Sequence, residues 1–358
     1  MKPTQELHEL GQSLWLDNIT RDMLDDGTLQ GYIDELSVTG QTSNPTIFDK
    51  AISAGHDYDE QITELREAGT EPEQIFFELA LADVKRAAKL FEPEHRRTDR
   101  MDGWVSLEVS PKLAYDTEAS IQQAADLHGR ASHNNFIKIP GTPEGLPAIE
   151  ESIFAGVPIN VTLLMSTDQA MAAADAYMKG IERRIEAGLD PDVPSVLSLF
   201  VSRWDVAVHD EVPDDMKSTL GIAVGKQTYA AWLEMRESNR WQGLAEKGAR
   251  LQRLLFASTG TKDPEASDTL YIDAFAAPDT INTMPDKTLK AFADHGTVGD
   301  PLPADGGDAT EVFQAHREVG IDTDALALKL QKDGASAFVK SWMDLLGTIS
   351  REAEKLVS

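Results

Sequence analysis

No cysteine occurs in this sequence. Disulfides, thiolate metal sites and cysteine nucleophiles are thereby excluded, and a reducing cytosol suits the composition. Long apolar runs are missing as well. No stretch of 18 apolar residues occurs, and the opening Met1-Lys2-Pro3-Thr4-Gln5-Glu6-Leu7-His8-Glu9 has no apolar signal core. The expectation is a soluble, cytoplasmic protein with no membrane partner. Positive charge is scarce: 33 Lys and Arg stand against 61 Asp and Glu, a net charge of −28. Such a surface repels nucleic acid and anionic membrane. It repels phosphorylated metabolites too, so a phosphate site needs its own Arg or Lys. No GxGxxG follows a candidate strand, and the eight histidines show no HExxH or zinc-ligand spacing. Neither a cofactor nor a metal is expected.

What is present suffices for a large core, with 41% of the 358 residues hydrophobic. That length suits two domains or one α/β barrel. Short β-like runs alternate with longer helical stretches, and eight can be read: Leu14–Ile19, Ser37–Thr42, Trp104–Val109, Asn135–Pro140, Pro158–Leu164, Val196–Val201, Arg253–Ser258 and Thr269–Phe275. Helical spacing appears over Gly27–Leu36, Pro72–Phe91, Glu118–His128, Pro147–Phe154, Thr167–Ala187, Asp214–Glu237 and Pro285–Asp294. Alternation of this kind predicts a parallel sheet, and eight repeats predict a closed (β/α)8 barrel with extra helices. Two long connections, Phe48 to Asp102 and Trp204 to Gln252, are each expected to hold two helices. A Gly/Pro/Asp-rich loop at Val298–Asp308 leads to a helical tail over Asp322–Val357. That tail is expected to pack across the barrel mouth or to form a subunit contact. The whole is read as one domain, residues 1–358, with the barrel over about 13–295 and the extension over 322–357. No solenoid repeat is visible.

Lys138 stands inside the apolar run Phe136-Ile137-Lys138-Ile139-Pro140. Burying an ammonium costs on the order of several kcal/mol unless it is paired or loses its proton. The same burial eases deprotonation, and a neutral amine attacks a carbonyl to form a Schiff base. A strand-end lysine reaching back to water is the other reading. Barrel function belongs at the C-terminal strand ends, where side chains alternate with period two. On one face fall Asp17, then Thr42 and Asn44, then Ser106, Glu108 and Ser110, then Lys138, then Asn160 and Thr162, then Ser198 with Phe200. A purely structural barrel would place Val, Ile and Leu there, so the set favours an active-site lysine. Singly the members are weaker. Asp17 alone reads as a helix cap, Asn44-Pro45 as a turn, and Arg203 and Lys262 as surface cations. Ser258-Thr259-Gly260-Thr261-Lys262 suggests a phosphate-cradling turn but lacks the P-loop pattern.

Together these stretches resemble the class I transaldolases, over roughly residues 13–290. The motifs carrying the resemblance are Leu16-Asp17-Asn18, Thr42-Ser43-Asn44-Pro45-Thr46, Leu107-Glu108-Val109-Ser110, Phe136–Thr142, Asn160–Leu164 and Ser198–Arg203. Ala257–Lys262 and Thr280–Pro285 look like the longer bacterial and plant type. Lys262 departs from the short bacterial type, in which an arginine is usual. The resemblance implies transfer of a dihydroxyacetone unit in the pentose phosphate pathway. The donor would be fructose 6-phosphate or sedoheptulose 7-phosphate, the acceptor erythrose 4-phosphate or glyceraldehyde 3-phosphate. It implies Lys138 as the Schiff-base lysine, with Glu108 and Thr162 holding a proton-shuttling water. Asp17 would be the base at the C4 hydroxyl. Thr42, Asn44, Asn160 and Ser198 would bind the three-carbon unit, and Arg203, Lys262 and Ser258 the phosphate. Fructose 6-phosphate aldolases of the same superfamily carry tyrosine where this chain has Phe200. The rival readings are such a lyase, a glycosidase using Asp17 and Glu108 as its carboxylate pair, and an inactive barrel serving as a binding protein. The expected assembly is a monomer or homodimer.

Overall fold

A computed structural model describes residues 1–357. Eight parallel strands close into a barrel in sequence order: β1 (Ser13–Asp17), β2 (Val38–Thr42), β3 (Val105–Glu108), β4 (Asn135–Pro140), β5 (Ile159–Leu164), β6 (Ser195–Phe200), β7 (Arg253–Ala257) and β8 (Ile281–Met284). Each is short and almost wholly buried on both faces, as parallel strands covered by helices must be, and most are rich in apolar residues, β2 and β8 being among the polar exceptions. The expected (β/α)8 barrel with a helical C-terminal extension is therefore found. The loosest seam is between β2 and β3, which share one residue pair, Gln41 with Val105. Below the strand ends the interior is filled by rings. Trp15 and Phe136 lie 6.2 Å apart between centroids. Gly40 leaves room for the indole, since a Cβ there would meet Trp15 at 2.5 Å. The N-terminal end is closed by buried polar groups. Trp15 Nε1 donates to Asp102 Oδ1 at 2.7 Å, and Arg253 Nη2 donates to Ser13 Oγ at 2.7 Å.

The eighth strand is not where the sequence suggests. Leu270–Ala274 is a short helix: Asp273 N bonds back to Thr269 O at 3.0 Å, and Thr269 Oγ1 donates to Asp273 Oδ2 at 2.6 Å. Five apolar-rich residues carry no periodicity that separates strand from helix, and the i,i+4 Thr–Asp pair decides for helix. The true strand, Ile281–Met284, is only four residues long and half polar. The long connections also hold more than expected. Pro45–Ala54, Asp59–Glu67 and Pro72–Arg97 fill the first, the last running on past Pro93. Ser202–Val208, Leu220–Glu237 and Asn239–Ala245 fill the second.

The tail is a helix, Thr323–Val357, packed over the C-terminal mouth of the barrel. Gln331 ties it down, its Nε2 donating to Gly141 O at 2.9 Å and Leu163 O at 3.0 Å. Leu345 and Ile349 are buried along it, and Trp342 packs edge-on to Phe76 with centroids 4.7 Å apart. Of the two placements expected for the tail, the mouth is the one observed.

Candidate active site

At the C-terminal ends of the strands a cavity of about 370 Å³ opens, lined by residues from every strand but β3, the segments and helices that follow β2, β6, β7 and β8, and the C-terminal helix. Lys138 projects into it from β4, almost fully buried. Its Nζ lies 3.3 Å from Glu108 Oε2 on β3 and donates to Ser43 O at 3.2 Å. β3 and β4 pair Glu108 with Lys138 directly, so backbone register alone brings acid and amine together. Neither Glu108 oxygen has a hydrogen bond of good geometry from protein, and the buried hydroxyl of Thr162 is also unpartnered. Buried acceptors in that condition are costly unless a ligand or water serves them. The three atoms therefore mark where polar chemistry can occur beside the amine.

Burial pushes the Glu108 carboxyl upward. Lys138 opposes this, the nearby Asp17 adds to it, and Arg203 opposes it. Asp17, at the end of β1, is likewise raised by burial, against the pull of Lys138, Thr42, Asn44 and Lys262. A carboxylate held above its usual range is the stronger base. Thr42 Oγ1 donates to Asp17 Oδ1 at 2.8 Å and lies 2.8 Å from Thr283 Oγ1. With its one proton on Asp17, Thr42 accepts from Thr283. Asn44 caps the helix Pro45–Ala54, its Oδ1 accepting from Ile47 N at 3.3 Å, and its amide lies near enough to Asp17 to favour the ionised carboxylate. Asn at the cap with Pro next is a favoured helix start, so one dipeptide both begins the helix and fixes a site residue.

Below the lysine runs a polar relay across three strands. Ser198 Oγ donates to Asn160 Oδ1 at 2.7 Å, and Asn160 Nδ2 donates to Ser106 Oγ at 3.1 Å. Asn160 and Glu108 lie just behind the cavity wall; Asp17, Thr42, Asn44, Lys138, Thr162, Ser198, Phe200, Arg203, Ser258 and Lys262 line it. Ser258 has φ +56°, a left-handed conformation uncommon outside glycine, and its hydroxyl lies 2.8 Å from that of Ser202. Leu163 has φ +59°, which interrupts the β5–β6 register just after Thr162.

Besides Lys138, three cations face this cavity: Arg203, Lys262 and Lys50. Among the described residues none has a carboxylate within ion-pair distance. In a chain of net charge −28 that is a conspicuous gathering. Sequence reasoning missed Lys50, Thr283 and Phe338, which also line the wall. Lys50 sits in the second turn of the helix that Asn44 starts, where a cation reads as surface. Thr283 belongs to the misplaced strand, and Phe338 reads as an ordinary core position of an amphipathic helix.

Residues 14–349 match the family model described as Transaldolase/Fructose-6-phosphate aldolase. The chain is 42% identical to the transaldolase of Mycobacterium ulcerans over 361 residues, covering 98% of this chain and 97% of that one. It is likewise 42% identical to the transaldolase of Mycobacterium marinum, with the same shares. To the transaldolase of Frankia alni it is 41% identical over 360 residues, covering 98% and 97%.

Proposed function

The chain belongs to the transaldolase/fructose-6-phosphate aldolase family, and from that premise we propose that it is a transaldolase whose Schiff base forms on Lys138. The observation that carries the proposal is the Lys138–Glu108 pair, buried at 3.3 Å with the unpartnered Thr162 hydroxyl in the same wall. The Lys138 amine adds to the ketose carbonyl and forms a carbinolamine. Glu108 and Thr162 hold the water that carries protons during addition and dehydration, and the iminium results. Asp17 then takes the proton from the C4 hydroxyl. The C3–C4 bond breaks, its electrons passing into the iminium to give an enamine, and the aldose phosphate leaves. An incoming aldehyde reverses these steps, Asp17 returning its proton to the new C4 oxygen. Thr42, Asn44 and the Ser198–Asn160 relay hold the three-carbon unit between the half-reactions. Arg203, Lys262 and Ser258 hold the distal phosphate, locally reversing the protein's repelling field.

The substrates are phosphorylated sugars of the pentose phosphate pathway. Fructose 6-phosphate or sedoheptulose 7-phosphate is the donor, and erythrose 4-phosphate or glyceraldehyde 3-phosphate the acceptor. The barrel and its C-terminal helix work as one unit, in the cytoplasm, as a monomer or homodimer. No helix of the described residues is long and apolar enough to cross a membrane.

Transfer in place of hydrolytic release turns on Phe200. It is nearly buried in the cavity wall and has no proton to deliver to the enamine carbon. A hydroxyl at that position would help order the water shared by Glu108 and Thr162 and so favour protonation and loss of dihydroxyacetone. The test compares two rates in one preparation: sedoheptulose 7-phosphate formed from fructose 6-phosphate and erythrose 4-phosphate, and free dihydroxyacetone released without acceptor. Transfer is expected to dominate in the parent, and Phe200→Tyr to raise release at the expense of transfer. Dominant release by the parent enzyme would make it a lyase. An unchanged ratio in the variant would leave Phe200 as filling alone.

A further inference from the structure

Arg203 leaves β6 on the helix Ser202–Val208 and is enclosed on three sides. Its Cζ lies 4.9 Å from the centroid of Phe200 and 5.5 Å from that of Phe338. The two rings stand 6.4 Å apart and steeply inclined to one another. The third side is Gly334, where a Cβ would sit 2.6 Å from Arg203 Nη1 and 3.1 Å from Leu163 Cδ2. Gly334 and Phe338 are one turn apart on the C-terminal helix and so share a face. Gln331, three residues earlier, fixes that face against the strand ends through Gly141 O and Leu163 O. Arg203 thus keeps its guanidinium donors uncommitted to any carboxylate of the described residues, while its orientation is set by carbon surfaces.

We propose that Gly334 and Phe338 are positioning residues for Arg203: with Phe200 they form a sleeve that aims the guanidinium at the sugar phosphate, so the C-terminal helix sets how tightly the phosphate is gripped. This rests on the reading of Arg203 as a phosphate ligand. A long side chain left free in the cavity would lose its rotamer freedom on each binding event, and the sleeve removes that loss beforehand. Gly334 is otherwise a poor choice in the interior of a helix, where alanine is the better former. The space it leaves is occupied by the Arg203 guanidinium and, further off, Leu163.

Gly334→Ala tests the sleeve because it favours the helix and displaces the guanidinium. Its KM for fructose 6-phosphate is expected to rise about tenfold with kcat nearly unchanged, while kcat/KM for free fructose stays as in the parent. Phe338→Leu, which keeps the apolar filling but loses the ring face, is expected to raise KM about three- to fivefold. In an Arg203→Ala background neither change should add anything. Circular dichroism and melting verify that each variant folds. Should Arg203→Ala leave KM for fructose 6-phosphate unaltered, the phosphate role of Arg203 falls, and the sleeve with it. Should Arg203→Ala raise KM while Gly334→Ala and Phe338→Leu do not, or should they impair free fructose equally, the sleeve alone is overturned.

Discussion

Asp17 and Glu108 show how one physical cause serves both reactivity and stability. Burial raises both carboxyls, which strengthens them as bases, and it also makes their ionised forms unfavourable in the fold. For Asp17 the sign is definite. The native state holds the proton more tightly than the unfolded chain does. Its contribution is therefore fully present below the ordinary carboxylate value of 3.8 and is lost as pH rises through the raised one. Asp17→Asn keeps an oxygen to accept from Thr42 and carries no charge. It should melt about 1–3 °C above the parent at pH 7, the gap closing as pH falls toward that ordinary value. The same variant should form the imine and then stall at C–C cleavage, with turnover down about 10²- to 10⁴-fold. Glu108→Gln should slow imine formation itself. It should gain no stability, because it strips a buried ammonium of its partner. Melting across pH and rapid-quench borohydride trapping check both statements. Equal imine accumulation in the two variants would contradict the division of roles.

At the scale of elements, close approach governs. Gly40 on β2 sits against the edge of Trp15, which is buried and committed through Nε1 to Asp102. Gly40→Ala should cost about 2–3 kcal/mol, because neither ring nor strand can withdraw without breaking that bond. Urea unfolding followed by tryptophan fluorescence measures it, and a loss under about 0.5 kcal/mol would show the interior to be looser than described. Seven strands were legible as short runs between helical stretches, and the first six also carry polar residues of one parity toward their ends. Asp17, Glu108, Lys138 and Asn160 all emerge from that pattern, which is why so much of the cavity wall could be assembled from sequence. β8 was not legible, since Ile281–Met284 is short and half polar while the more apolar Leu270–Ala274 lay nearby. Pro93 stops a helix on paper, yet the helix continues to Arg97 with His95 buried against Trp104, ring centroids 4.6 Å apart. Phe338 and Lys50 were invisible for a different reason. Their place at the site depends on where a distant helix docks and which way a helix turn faces, and neither leaves a local signal.

For the molecule as a whole, a net charge of −28 sets two opposing fields. Spread over the surface it repels itself, which weakens the compact state and is screened by salt. Exposed ion pairs such as Lys329–Asp333 and Arg96–Glu92 contribute little and do not offset it. Melting temperature should therefore rise by about 5 °C or more between low salt and ~1 M KCl, beyond what a neutral osmolyte of equal osmolality gives. A melting point that does not move would mean the acidic groups are too far apart to repel. Against this background Lys50, Arg203 and Lys262 gather at one opening, and Lys138 lies beneath them. The central claim is that this lysine carries the covalent intermediate. It is tested by borohydride reduction in the presence of fructose 6-phosphate, followed by proteolysis and mass spectrometry. The account predicts a single reduced adduct on Lys138, absent from Lys138→Met although that variant folds. An adduct on another lysine, or its persistence in Lys138→Met, would contradict it.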